Sequence, residues 1–177
     1  NKQFIVWKHG LNWECREELS ALGKAHEKHI PDRYLNLSPA LLEALFETLM
    51  LGDGTHVQRT GHQDFLSFYT SSTRLADQMQ ELAQKIGRRA TIHPQFSAGR
   101  QMCFKNGTYT LSHDMLCVGI LEKTRVQCNK LFSDIVPYQD TAYCFETPYH
   151  TVLVRRNGRA VWCGNCSNRS LRMAMAI

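Results

Sequence analysis

The spacing of apolar residues along this chain changes period several times, and each change marks an element. In "SPALLEALFETLMLGDG" (38–54), Leu41, Leu42, Leu45, Phe46 and Leu49 recur at helical spacing. Ser38 stands where an N-cap belongs and Pro39 at the first helical position, while Gly52 and Gly54 end the run. A second capped helix is predicted over "STRLADQMQELAQKIG" (72–87), where Leu75, Met79, Leu82, Ala83 and Ile86 share a face and Gly87 takes the C-terminal cap. A third helix, interrupted at Gly23, is predicted over residues 14–29, with a turn at Pro31.

Elsewhere the period drops to two. "HQDFLSFYTSS" (62–72), "RATIHPQF" (89–96) and "MLCVGIL" (115–121) read as strands. "RQMCFKNGTYTLS" (100–112) reads as a hairpin turning at Asn106-Gly107. From Thr141 to Asn165 the pattern is wholly β, with Asn157-Gly158 turning between "TVLVRR" and "RAVWC". The order is helix, strands, helix, strands: an α+β unit. The composition shift near residues 121–140 is the candidate domain boundary, with units expected at 1–125, 126–165 and 166–177.

Composition narrows the class. Apolar residues make up 43% of the 177 and charged residues 21%, a globular balance rather than a disordered one. No apolar run reaches the length of a bilayer span, so no membrane partner is expected. The N-terminus "NKQFIVWKHG" lacks a signal-peptide pattern, and the first residue is Asn, as in a trimmed segment of a longer protein. Seven cysteines at irregular spacing, without a secretory signal, point to a reducing cytoplasm. The net charge of +5 is modest, but Lys85, Arg88, Arg89, Arg100 and Lys105 follow one another without an intervening acid. Such a cluster suits a phosphate backbone or an ordinary solvated face.

One stretch asks for chemistry of its own. In "VWCGNCSNRS" (161–170) an Asn precedes a Cys directly behind a β-type run. The pair Cys163 and Cys166 is open to a redox or zinc reading. A zinc site wants a second pair at ligand spacing, and a thioredoxin-like site wants the motif opening a helix. A third reading makes Asn165–Cys166 a bond built to be broken. The Asn amide nitrogen can attack its own main-chain carbonyl, closing a succinimide and freeing the next residue's amine.

Separated stretches share a family resemblance. "FETLMLGDG" (46–54) resembles the helix motif of LAGLIDADG homing endonucleases. "EKHIPDR" (27–33) resembles the block that precedes the second copy of that motif in intein-borne endonucleases, and "LAQKIGRRATI" (82–92) the block that closes the same half. "AYCFETPYHTVLVRRNGRAVWCGN" (142–165), followed by Cys166, resembles the two C-terminal splicing blocks of inteins. Together they imply a LAGLIDADG-type half-domain followed by the C-terminal β segment of a Hint (Hedgehog/intein) domain, with host protein (extein) from Cys166 onward. The nucleophile and Thr-x-x-His block that open an intein are not in this sequence, nor is the first endonuclease helix motif. An N-terminal intein segment is therefore an implied partner.

The resemblance assigns roles. Asn165 is the cyclising residue and Cys166 the nucleophile that accepts the upstream segment as a thioester. His150 matches the family's assisting His. Cys144 stands where Asp is common, and is open to three roles: a nucleophile, an activator of Cys166 or a small buried residue. Two departures matter: Gly164 replaces the His usual before the terminal Asn, and Cys163 stands where a subclass has Thr. Asp53 is the position where the family binds a divalent cation, Mg²⁺, whereas splicing needs no cofactor. One such helix supplies half a nuclease site; the other half comes from an upstream copy or a second chain. Arg88, Arg89, Arg100 and Lys105 are the candidate contacts to double-stranded DNA. The alternative function is a DNA-binding module that neither cuts nor splices alone.

Overall fold

The computed structural model describes residues 13–57, 65–104, 107–122, 137, 139–141 and 147–164. Helix α1 (Trp13–Ala21) is shorter than the expected 14–29. Gly23 adopts φ +81°, the left-handed conformation that ends a helix, and a separate turn follows in which Lys24 N–H donates to Glu27 Oε2 at 2.8 Å. The turn expected at Pro31 is the start of a single-turn helix, α2 (Asp32–Leu35).

Helix α3 (Pro39–Asp53) begins as expected, although the Ser38 hydroxyl makes no capping bond and the start rests on Pro39. Leu42 and Phe46 are buried while Leu41 stays exposed. The helix passes without a loop into β1 (Gly54–Val57), the Gly54 N–H donating to the Met50 carbonyl. Strand β2 (Phe65–Thr70) leads to α4 (Thr73–Lys85). The Ser72 hydroxyl caps α4, accepting from Leu75 N–H at 3.1 Å while donating to the Lys28 carbonyl at 2.6 Å. Strands β3 (Arg89–Phe96), β4 (Gln101–Phe104), β5 (Gly107–Thr110) and β6 (Met115–Leu121) follow, then β7 (Thr151–Arg156) and β8 (Arg159–Gly164).

Six of these strands form one antiparallel sheet in the order β1-β2-β6-β3-β8-β7, and β4 and β5 pair separately. Side chains alternate across it. Leu66, Phe68, Ala90, Ile92, Leu116, Val118 and Ile120 turn to the helices, where they meet Leu42, Phe46, Leu75, Met79 and Leu82. The result is a two-layer α+β arrangement with the core between one sheet face and two helices. In the β4–β5 hairpin Phe104 pairs with Gly107, and Asn106 of the expected turn lies outside the described residues.

The Asn157-Gly158 turn forms as expected, both residues with positive φ (+50° and +73°). It also fastens the β7–β8 hairpin to β3. Ile92 N–H donates to the Gly158 carbonyl at 2.8 Å, and any Cβ on residue 158 would strike the Ile92 carbonyl. Gln80 Nε2, from α4, donates to the Ala90 carbonyl at 2.9 Å and the Gly158 carbonyl at 2.7 Å. Arg155 pairs with Asp77 at 2.6 Å. The sheet therefore continues across the boundary expected at residue 125. Among the described residues no helix is long and apolar enough to cross a membrane.

Candidate nucleic-acid interface

The sheet face turned away from the helices carries the other half of each strand's side chains. Its register aligns one row across all six strands: Thr55, Ser67, Gly119, Thr91, Arg159 and Arg156. Neighbouring positions on that face include Phe65, Tyr69, Arg89 and His93. Ser67 and Gly119 are buried, and the Phe65 ring lies over Gly119 where a side chain would strike it, so the exposed parts of the row are its two ends. None of the six strands contains an Asp or Glu. Arg89, half-buried, and His93, exposed, form no ion pair among the described residues. Where it is exposed, this face presents cationic groups and threonines with no acid on its strands to oppose a phosphate.

The expected phosphate contacts separate on inspection. Arg89 lies on this face. Arg100 sits beyond the end of β3, exposed, its guanidinium stacked 4.1 Å over the Phe96 ring. Arg88 turns the other way: it pairs with Glu43 of α3 and lies 4.4 Å over the Phe46 ring, so its charge is used in joining β3 to the helix layer. Lys105 is outside the described residues.

Asp53 is the last residue of α3 and is exposed. The solvent side of α3 presents Leu41, Ala44, Thr48 and Leu51, a stripe at alternating three- and four-residue spacing that runs toward Asp53. Leu51 is 81% exposed and Leu41 54%. The Thr48 hydroxyl donates to the Ala44 carbonyl at 2.8 Å, so its polar group is satisfied within the helix. No group of three or more His, Cys, Asp or Glu suited to a metal ion occurs among the described residues. Asp53 is a single carboxylate. That fits one side of a Mg²⁺ site, since this ion usually takes one or two carboxylates and completes its shell with water and substrate phosphate.

His150 is placed at the other end of the molecule's chemistry. It closes the turn ahead of β7 with φ +51°, its N–H donating to the Thr147 carbonyl at 3.0 Å. The Thr147 hydroxyl fixes the same turn, donating to the Thr151 carbonyl at 2.9 Å and accepting from Thr151 N–H at 3.1 Å. Thr151 pairs with Gly164, so His150 adjoins the strand end that immediately precedes Asn165 in sequence. Asn165, Cys166 and Cys144 lie outside the described residues. Cys163 is a free thiol. The residues that sequence patterns did not reveal are Gln80, Arg156 and Arg159. A buried Gln on a helix reads as solvated, and the register that aligns the two arginines with β3 is long-range.

Residues 40–121, which hold most of α3, strands β1 to β6 and α4, match the LAGLIDADG-like domain. The chain is also similar to the "DNA-directed RNA polymerase subunit beta C-terminal section" of Stigeoclonium helveticum, with 31% identity over 106 residues. That alignment covers 56% of this chain and 10% of that protein, so the chain spans about a tenth of that relative's length.

Proposed function

We propose that this chain is the C-terminal portion of an intein whose LAGLIDADG endonuclease recognises and cuts duplex DNA. The observation that carries the DNA reading is the acid-free sheet face bearing Arg89, Thr91 and His93, beside a helix that ends in an exposed Asp53. The apolar stripe on α3 packs against a second helix of the same kind, which contributes the second acid. When bound between them, Mg²⁺ supplies the Lewis acidity that phosphodiester hydrolysis needs. Asp53 holds one side of that site, while Arg89, Thr91 and His93 position the DNA backbone. A match limited to a tenth of a much longer protein supports a segment inserted in a host chain.

Selection from a random duplex pool in Mg²⁺ tests this reading. The parent chain is expected to enrich one sequence and nick it. Asp53→Asn should bind that sequence equally and leave it intact. Salt-dependent binding without nicking by the parent would leave a DNA-binding module that does not cut, and absence of binding would overturn both.

A specific observation favours the splicing role as well. The Thr151–Gly164 register brings His150 to the strand end before Asn165, where it serves as the acid for the departing Cys166 amine. On the helix-side face of the hairpin, Leu153 and Trp162 are paired and exposed, an apolar surface suited to an N-terminal splicing segment. Intact mass after incubation at neutral pH is the test. The parent should lose the 166–177 peptide, Asn165→Ala should stay whole, and His150→Ala should release it more slowly. A parent that stays whole would show that Asn165 does not cyclise unaided beside Gly164.

A further inference from the structure

We propose that the β7–β8 hairpin is part of the DNA-binding surface, with Arg156 and Arg159 contacting the phosphate backbone of a duplex that lies across the sheet. This rests on the DNA reading above and extends it beyond residues 40–121, the part matched by the LAGLIDADG-like domain.

The geometry is set by register. Arg159 pairs with Thr91 of β3, and Arg156 pairs with Arg159. Both arginines therefore lie on the face that carries Arg89, and each strand adds about 4.8 Å to its width. The row from Thr55 to Arg156 crosses five strand spacings, roughly 24 Å, wide enough to underlie a duplex whose major groove is about 12 Å across. The domain segment provides Thr55 at one end of this row and Thr91 beside the hairpin, with Ser67 and Gly119 buried between them. The hairpin provides its cationic end.

Charge argues the same way. Like charges directly opposite each other on a sheet are unfavourable. Arg156 and Arg159 are such a pair, both exposed and without an ion pair among the described residues, and Arg89 is the diagonal neighbour of Arg159. The strand's other arginine, Arg155, points to the opposite face and is matched by Asp77. The sequence thus neutralises the arginine that fastens the hairpin and leaves uncompensated the two that share a face with Arg89. An arrangement that breaks a local rule without internal compensation is explained by a polyanion supplied from outside. The fastening through Gln80 and Gly158 holds the backbone of the hairpin turn that carries both arginines against the sheet.

The test is fluorescence anisotropy with a short mixed-sequence duplex over a series of salt concentrations. Replacing a phosphate contact lowers the slope of log K against log salt by about 1. Arg156→Gln/Arg159→Gln is expected to lower the slope by about 2, with similar weakening on unrelated sequences. Arg89→Gln should lower it by about 1. Arg74→Gln, on the helix side, should leave it unchanged. A normal slope in the double variant, with Arg89→Gln still impaired, would overturn the hairpin's role and leave the DNA reading standing. A parent chain with no salt-dependent binding would overturn both. Unchanged thermal melting of the double variant checks that exposed substitutions have left the fold intact.

Discussion

A carboxylate at the final position of a helix meets the negative end of the helix dipole, an unfavourable placement of about 0.3–1 kcal/mol when exposed. Asp53 occupies that position on α3 with no basic residue in the helix's last turn, so its placement costs stability and agrees with the metal-binding role proposed for it. Two thiols illustrate the reverse, where surroundings decide reactivity. Cys103 is exposed, whereas Cys117 is buried in β6, and burial pushes its thiol up from the ordinary range, outweighing hydrogen bonds with Ser67 and Tyr69 that pull it down. The sign of the linkage follows. Because the folded state holds the Cys117 proton more tightly, its contribution to stability is complete below the ordinary thiol range and is lost as pH rises through the folded value. An alkylating reagent near neutral pH is expected to label Cys103 rapidly and Cys117 only on unfolding. Denaturant titrations at alkaline pH should show stability falling with a shallower slope in Cys117→Ala. Equal labelling of the two thiols in the folded chain would contradict the buried placement.

At the scale of elements, the attachment of the hairpin depends on a side chain in α4. Gln80 Nε2 donates to the Ala90 carbonyl of β3 and the Gly158 carbonyl of the β7–β8 turn, and Arg155 reinforces the contact through Asp77. Gln80→Leu removes both donated bonds and leaves buried acceptors, at a cost of about 1–3 kcal/mol. Hydrogen exchange should therefore show the amides of β7 and β8 losing protection while those of β6 and α4 keep theirs. Uniform loss across the sheet would instead make Gln80 a core residue of the whole domain. Most of the elements themselves were legible. The apolar faces of α3 and α4, the strands 89–96 and 115–121, and the Asn157-Gly158 turn all carry short-range signals. What escaped was set by tertiary contact. Gln78 holds the 24–31 segment by accepting from Ile30 N–H and donating to its carbonyl, both at 2.7 Å, and nothing in helical periodicity distinguishes it from a solvated Gln. The extent of α1 escaped because one left-handed Gly23 outweighs a weak charge pattern. Arg88 entered the phosphate set because a run of basic residues carries no face. Its neighbour Arg89, one residue on, points to the opposite side of the sheet.

At the scale of the molecule, burial is one-sided. Two helices cover one face of the sheet, yet α3 turns a second apolar stripe to solvent. Leu41, Ala44, Thr48 and Leu51 repeat with the 3-4-3 spacing of a helix–helix seam, and the small residues at its centre permit close approach of a second backbone. Set against another copy of itself about a two-fold axis, such a seam would bring two Asp53 carboxylates to one end of the helix pair. Sedimentation over a concentration series is expected to show reversible self-association of this chain. Leu51→Glu should abolish it, because two added carboxylates would face each other across an apolar contact. At 81% exposure the residue contributes little to the fold, so melting should stay within a degree or two of the parent. If the chain stays monomeric at every concentration, the partner of α3 is an upstream helix of a longer chain. In that case a fused upstream copy, but not a second copy in trans, should restore Mg²⁺-dependent nicking.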